Sequence, residues 1–217
     1  RVSGVRTYAL PVRVAATAPL HATMRMPSPS QALSSASSPD QAMDALVDVI
    51  VHKYAPLPEA SLRQLMALLL RGGAPQWVAL RPAALARAKQ RLASCVVDGV
   101  SWYWPQAESP LSKRHAPQEA VRLLAPFDPV VWDRRRFELL WGWPYRFEAY
   151  TPPAQRVRGY YALPLLWRDQ VIGWGNLSIA DGELSADLGY VAGKAPREAA
   201  FKHALAEELE RMRVFLG

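Results

Sequence analysis

Hydrophobic residues recur at helical spacing three times in the first half of the chain. The predicted helices span residues 41–54, 59–70 and 82–93. Asp40 is placed to cap the first helix, Gly72 and Gly73 end the second, and Pro82 opens the third. One apolar face of the first helix comprises Met43, Leu46, Val47, Ile50 and Tyr54. A helical unit with its own core is therefore expected in this part of the chain.

A β-hairpin is predicted directly after the third helix. The dipeptide Asp98-Gly99 separates two β-prone runs, at 95–97 and 100–104, and Asp-Gly is a preferred hairpin turn. Three helices followed by a hairpin is the order of a winged helix, in which the third helix is the recognition helix. A helical bundle that carries a separate hairpin is the alternative. We predict a winged-helix domain over residues 40–104.

Strand and turn signals dominate the second half of the chain. After a polar connection at 105–118, short apolar runs predict strands at 145–150, 160–167, 170–179 and 184–191. Gly173, Gly175 and the turn at Asp181-Gly182 supply the bends. Several strands at this spacing predict a small antiparallel β-barrel or a curved sheet within residues 105–217.

Two further helices are expected in this second unit. Asp133 is placed to cap a short helix with Phe137, Leu140 and Trp141 on its buried side, and Asp128 is expected to be a turn residue before it. The last helix, at 197–216, has an apolar stripe of Phe201, Leu205, Leu209, Met212 and Leu216. Packed on the predicted sheet, this helix completes an α+β fold.

Residues 1–39 are predicted to be the end of a preceding unit and a linker. An extended apolar piece around Tyr8 and Leu10 stops at Pro11, and residues 27–39 are rich in serine and proline. The chain begins at Arg1 without a methionine or a signal-peptide core. We therefore expect it to be the carboxy-terminal portion of a longer protein.

The composition favours a polyanionic partner and offers no sign of a cofactor. The net charge is +7 and the isoelectric point is near 9.8. Cys95 is the single cysteine, which excludes an intrachain disulfide and fits a reducing compartment. The four histidines have no metal-ligand spacing, and phosphate-loop, dinucleotide and nucleophile-elbow motifs are absent. No apolar run is long enough to span a membrane. We expect neither metal nor small-molecule cofactor, and a cytoplasmic, nucleoid-associated location.

Clustered arginines are the candidate DNA-binding residues. They are Arg134, Arg135, Arg136, Arg156, Arg158, Arg87 and Arg91. Arginines in the first turn of a helix oppose its dipole, so a bound phosphate would explain the run after Asp133. A solvated face, paired with Glu138 or Glu148, is the alternative explanation of this run. For Arg156 and Arg158 the alternative is a solvated hairpin end. For Arg87 and Arg91 it is the solvent-facing side of the third helix.

Two long motifs resemble a known family. LLAPFDPVVWDRRR at 123–136 and PYRFEAYTPPAQRVRGYYALPLLWRDQVIG at 144–173 resemble the central block of YcaQ-type winged-helix DNA glycosylases. The opening VRTYALPVRV at 5–14 resembles the stretch where one winged helix of that family leads into the next. The resemblance implies tandem winged helices and a small β-barrel that line a basic channel for damaged double-stranded DNA. It also implies hydrolysis of the N-glycosidic bond of an alkylated purine, including one in an interstrand crosslink.

The resemblance places the catalytic group outside this chain. Family members carry it in a Gln-x-Asp or Gln-x-Gln motif of the amino-terminal region, and the nearest match here, Gln106-Ala107-Glu108, follows the predicted wing and is read as coincidence. Relatives tend to have arginine, aspartate and lysine where this chain has Trp174, Asn176 and Ser178, and glutamine and tyrosine where it has Val157 and Arg158. We therefore expect no catalytic residue in this chain.

The expected function is to grip DNA for a repair glycosylase, and two alternatives stay open. The first is a non-catalytic winged-helix DNA-binding protein with a regulatory or scaffolding role. The second is a protein-interaction module whose basic surface meets an acidic partner. A catalytic motif in the coding sequence upstream of Arg1 would favour the enzyme.

Overall fold

The computed structural model describes residues 38–180 and 182–216 and shows an α+β fold in them. Five α-helices and two antiparallel sheets make up this part of the chain, together with short 3₁₀ helices. The mixed fold class is confirmed. The predicted strand around Tyr8 and nearly all of the predicted linker lie outside the described residues.

The first unit contains three helices and a three-stranded sheet. In chain order its elements are α1 (Pro39–Tyr54), β1 (Leu57–Pro58), α2 (Glu59–Gly72), a 3₁₀ helix (Pro75–Leu80), α3 (Arg81–Arg91), β2 (Ala93–Val97) and β3 (Val100–Trp104). The N-cap of α1 is Ser38 rather than Asp40, since the Ser38 hydroxyl accepts the Gln41 N–H at 3.3 Å. Pro39 suits the next position because it has no N–H to leave unpaired.

The hairpin forms where the sequence predicts it, and a short strand joins it. Asp98 and Gly99 both have positive φ, 49° and 75°, as a tight two-residue turn requires. The strand order is β1-β3-β2, all antiparallel, with Leu57 opposite Tyr103. Strand β1 was not predicted, since two residues are too few to show an alternating pattern. The core beneath this sheet includes Met43, Val47, Leu62, Met66, Ala84, Ala88 and Tyr103.

The second unit is a four-stranded open sheet with two helices. Its elements are β4 (Val121–Leu123), α4 (Arg134–Trp141), β5 (Leu163–Trp167), β6 (Gln170–Ala180), β7 (Glu183–Tyr190) and α5 (Ala199–Leu216). The antiparallel order β4-β5-β6-β7 leaves β4 and β7 as edges within the described residues, so the sheet is not a closed barrel. The three hairpin-linked strands are near their predicted positions, although β5 begins at Leu163 rather than at 160.

The predicted strand at 145–150 is wrong, and this stretch is an irregular loop. Its polar and aromatic side chains bond to distant backbone instead of alternating across a ladder. The Tyr145 hydroxyl donates to the Ala162 carbonyl at 2.7 Å, and the Glu148 carboxylate accepts backbone N–H groups at 157–159. Side-chain partners of this kind satisfy the loop backbone without a neighbouring strand.

Helix α5 packs on the sheet through its first half. Phe201 and Ala204 are buried against Val121, Leu165 and Trp167. The predicted stripe continues to half-buried positions at Leu205, Leu209 and Met212, but Leu216 at the end is exposed. The buried Glu208 interrupts this side of the helix and accepts the Leu123 N–H of edge strand β4 at 2.7 Å. That contact pairs a backbone donor that the sheet edge leaves free.

Candidate nucleic-acid interface

Two aspartates shape the turn and the start of helix α4. The Asp133 carboxylate accepts the Arg136 N–H at 3.1 Å and caps the helix, as predicted. Asp128 accepts the Val130 N–H at 2.8 Å, which confirms it as a turn residue. Of the predicted buried side of α4, Phe137 is fully buried and Trp141 is half-buried, whereas Leu140 is exposed.

Arg134 is held by the turn that precedes its helix. Its guanidinium donates to the Val131 and Pro126 carbonyls at 2.7 and 3.0 Å and lies 4.5 Å from the centre of the Tyr145 ring. The side chain is half-buried, and desolvation lowers the pKa of Arg134. Burial also raises the pKa of Tyr145 to about 12.

Arg135 and Arg136 point into opposite environments. Arg136 is 4% exposed and donates to the carbonyls of Tyr54, at the end of α1, and Pro129. It therefore ties the first unit to the turn before α4, and desolvation lowers its pKa. Arg135 is exposed, and its side chain makes no ion pair or hydrogen bond with any described residue. The pairing with Glu138 or Glu148, which was the alternative explanation of this run, is not seen among the described residues.

A buried carboxylate organises the loop that carries Arg158. Glu148 is 6% exposed, and its Oε2 accepts the N–H groups of Val157, Arg158 and Gly159 at 2.9, 2.8 and 3.2 Å. Gly159 has φ of +121°, and a Cβ there would lie 2.4 Å from the Asn176 amide oxygen. The loop is thus fixed by one acid and by a position that only glycine fits.

The side chain of Arg158 is enclosed by two indole rings. Its guanidinium carbon lies 5.3 Å from the Trp143 ring and 5.4 Å from the Trp174 ring, and its Nη1 is 3.8 Å from Glu148 Oε1. Asn176 Nδ2 donates to the Arg158 carbonyl at 2.7 Å. Trp174 and Asn176, two of the three β6 positions that differ from the YcaQ-type pattern, therefore contact Arg158.

Arg156 lies on the outer side of the same loop. Its Nε donates to the Thr151 carbonyl at 2.9 Å, and its guanidinium carbon is 4.9 Å from the Tyr160 ring centre. The arginine is half-buried and Tyr160 is exposed. Charge and an aromatic face are thus presented together at this point.

Arg87 and Arg91 on α3 face carboxylates of α1. Arg87 contacts Asp40 at 2.9 Å and Asp44 at 2.8 Å, and Arg91 contacts Asp48 at 2.6 Å. The hydrogen bond that the Arg87 guanidinium donates to the Asp44 carboxylate is the main cause of the raised pKa of Arg87. These arginines are partly exposed, so a phosphate would have to compete with existing ion pairs.

The described residues offer no metal cluster and no membrane helix. No group of three or more His, Cys, Asp or Glu side chains in them could hold a metal ion. None of the helices at 38–180 and 182–216 is long and apolar enough to cross a membrane.

Comparison with known proteins decides the family. The sequence model described as DNA glycosylase AlkZ-like matches residues 1–215, almost the whole chain. The chain belongs to the AlkZ-like DNA glycosylase family. This membership is consistent with the YcaQ-type resemblance of the two long motifs, and it implies DNA as substrate and a role in DNA repair. No solved structure gives a significant match.

In this AlkZ-like chain, the tripeptide nearest to the expected catalytic motif lies at the surface. Gln106, Ala107 and Glu108 form an exposed turn after β3, where the Glu108 carbonyl accepts the Trp104 indole N–H at 3.2 Å. That backbone contact gives the tripeptide a structural role as a turn.

Several exposed residues of the 124–162 segment were not predicted from the sequence. The 124–162 segment, which ends before β5, also contains the exposed Arg146, Phe127 and Tyr150. Six arginines and two glutamates lie between Arg134 and Tyr161, so the charge imbalance is visible in the sequence. The burial of Glu148, which removes one of the two acids from the surface, is visible only in the fold.

Proposed function

We propose that this chain binds and orients duplex DNA for a repair glycosylase that hydrolyses N-glycosidic bonds of alkylated or crosslinked purines. The family match over residues 1–215 carries the proposal. The order of elements in the first unit supports a winged helix at 40–104: helix, strand, two helices and a hairpin, with β1 paired to the hairpin.

The 124–162 segment is the proposed phosphate-binding surface. The Arg135 side chain has no hydrogen-bond or ion-pair partner within residues 38–180 and 182–216, and Arg134 and Arg156 are half-buried beside their backbone contacts. Contacts between arginine and phosphate position a duplex without reading its sequence. Arg136 and Arg158 are enclosed, and we assign them to shaping this surface. Arg87 and Arg91 remain candidates that would exchange an aspartate for a phosphate.

The test is the salt dependence of duplex binding. If roughly five phosphates are engaged, the logarithm of the binding constant should fall against the logarithm of salt concentration with a slope of about −4 to −5. Replacing Arg135 and Arg146 by glutamate should weaken binding on every sequence alike and reduce the magnitude of the slope by about one per lost contact.

Lys202→Glu is the matched control, since Lys202 is an exposed cation on α5. It changes the net charge by the same amount per substitution and should leave the slope near that of the parent. The proposed surface would be refuted if, at low salt, the double variant lost no more binding free energy than twice the loss in Lys202→Glu.

A further inference from the structure

Four aromatic rings meet on the 124–162 segment around Phe147. The ring centre of Phe147 lies 5.3 Å from that of Phe127, 6.1 Å from that of Tyr150 and 5.1 Å from that of Tyr161. All three contacts are edge-to-face, with interplanar angles of 68°, 84° and 90°. Phe147 is half-buried and anchors the other three. We call these four residues the aromatic cluster.

The outer rings of the aromatic cluster are largely in solvent. Tyr150 is 92% exposed and Phe127 is 61% exposed. Exposing rings of this size forgoes the burial that normally stabilises aromatic side chains. The loop beneath them is nevertheless well held, because the Thr151 N–H donates to the Glu148 carbonyl and the Glu148 carboxylate binds three N–H groups. Rings that stay open to solvent beside a well-held loop are suited to a ligand with flat apolar faces.

Two arginines lie beside the aromatic cluster, while Asp128, the acid next to Phe127, is half-buried and accepts the Val130 N–H at 2.8 Å. Arg146, next to Phe147 in the chain, is exposed and has no hydrogen bond or ion pair with a described residue. Arg156 lies over Tyr160, which is adjacent to Tyr161. The acid within the same loop, Glu148, is buried and occupied by backbone N–H groups. A purely apolar protein partner would leave these cations unmatched, whereas a nucleotide supplies both a flat base and a phosphate.

We infer that the aromatic cluster stacks on nucleobases that have left the helical stack of a distorted duplex. In an intact duplex the base faces are covered by their neighbours, and only edges and phosphates are accessible. Ring faces gain most from a base displaced at a bulge or lesion, and stacking of this kind tolerates any base. The inference rests on the proposed function and adds a preference for distorted over intact DNA.

The test compares two labelled duplexes of equal length, one fully paired and one with a short unpaired bulge that carries a fluorescent adenine analogue. The parent chain should bind the bulged duplex more tightly and quench the analogue. Tyr150→Ala should lower affinity for the bulged duplex roughly tenfold, abolish most of the quenching, and leave binding of the paired duplex unchanged. Phe127→Ala combined with Tyr150→Ala should deepen the loss.

Phe215→Ala is the matched control, because Phe215 is 71% exposed on α5 and lies outside the aromatic cluster. It should bind both duplexes like the parent, and Tyr150→Phe should retain the preference. Equal affinity of the parent for both duplexes, or an equal loss on both in Tyr150→Ala, would overturn the stacking inference while duplex binding stands. A parent chain that binds neither duplex would overturn the proposed function together with the inference.

Discussion

Removing the Glu148 carboxylate should loosen the loop that carries Arg156, Arg158 and Tyr160. The carboxylate is 6% exposed and accepts three backbone N–H groups between 2.8 and 3.2 Å. In Glu148→Ala these donors lose their acceptor, and Arg158 Nη1 loses a carboxylate oxygen 3.8 Å away. Because no described side chain replaces Glu148 there, the N–H groups must find water or remain unpaired.

The magnitude follows from the number of contacts and their exposure. A hydrogen bond to a charged group contributes about 1.5–3 kcal/mol, and an unsatisfied buried donor costs about 1–3 kcal/mol. The loop is half-buried, so water can pair with some of these N–H groups and reduce the loss of stability. We expect Glu148→Ala to lower the free energy of unfolding by about 3 kcal/mol. Glu148→Gln keeps one acceptor oxygen and should lose about half as much.

Urea unfolding followed by circular dichroism measures this difference, with Glu138→Ala as the control. Glu138 is an exposed acid on α4, and its substitution should change the free energy of unfolding by less than about 0.5 kcal/mol. At temperatures where Glu148→Ala is still folded, we expect it to bind duplex DNA more weakly than the parent. That result would show that the ordered loop supports the proposed phosphate-binding surface. Equal stability of Glu148→Ala and Glu138→Ala would refute the role given to this carboxylate.

Three further predictions concern Arg136, Tyr145 and the acids of the turn. Arg136→Ala should lower the free energy of unfolding by about 3–5 kcal/mol, measured by urea unfolding. It should also loosen the contact to Tyr54, which hydrogen exchange at the end of α1 would detect. Unchanged exchange there would contradict this prediction. Burial raises the pKa of Tyr145 to about 12, so its contribution to the free energy of unfolding is complete below pH about 10 and is lost as pH rises towards 12. Relative to Tyr145→Phe, the loss in the free energy of unfolding should approach 2–3 kcal/mol. Parallel curves of this free energy against pH for the two proteins would contradict the prediction. The purified chain should not release an alkylated guanine from duplex DNA, since Asp128 and Asp133 have structural hydrogen bonds; release that disappears in Asp128→Asn or Asp133→Asn would refute this.

Local signals in the sequence predicted the elements that local interactions determine. The turn at Asp98-Gly99 requires two positive φ values, and the Asp133 cap needs only the N–H three residues later. Gly72 ends its helix as the sequence suggests, followed by Gly73 as the C-cap. These features depend on a few adjacent residues, so they can be read without the rest of the fold.

Contacts between distant segments account for what the sequence did not predict. The apparent strand at 145–150 is a loop because Tyr145 and Glu148 bond to backbone more than eight residues away. The contiguous arginines look equivalent in the sequence, yet Arg136 reaches Tyr54 in the other unit and Arg135 stays in solvent. Whether the sheet closes also depends on strand pairing over long distances, which hydrophobic periodicity cannot encode.

Photocrosslinking tests most directly whether the 124–162 segment contacts DNA. The full chain is bound to a duplex with photoreactive bases and phosphate-proximal labels, irradiated, and digested, and the crosslinked peptides are identified by mass spectrometry. We predict crosslinks concentrated in peptides that contain Arg135, Arg146 and Tyr150, all weakened by high salt because phosphate contacts dominate affinity. Crosslinks confined to α5 or to the first unit, with the 124–162 segment unmarked, would contradict it.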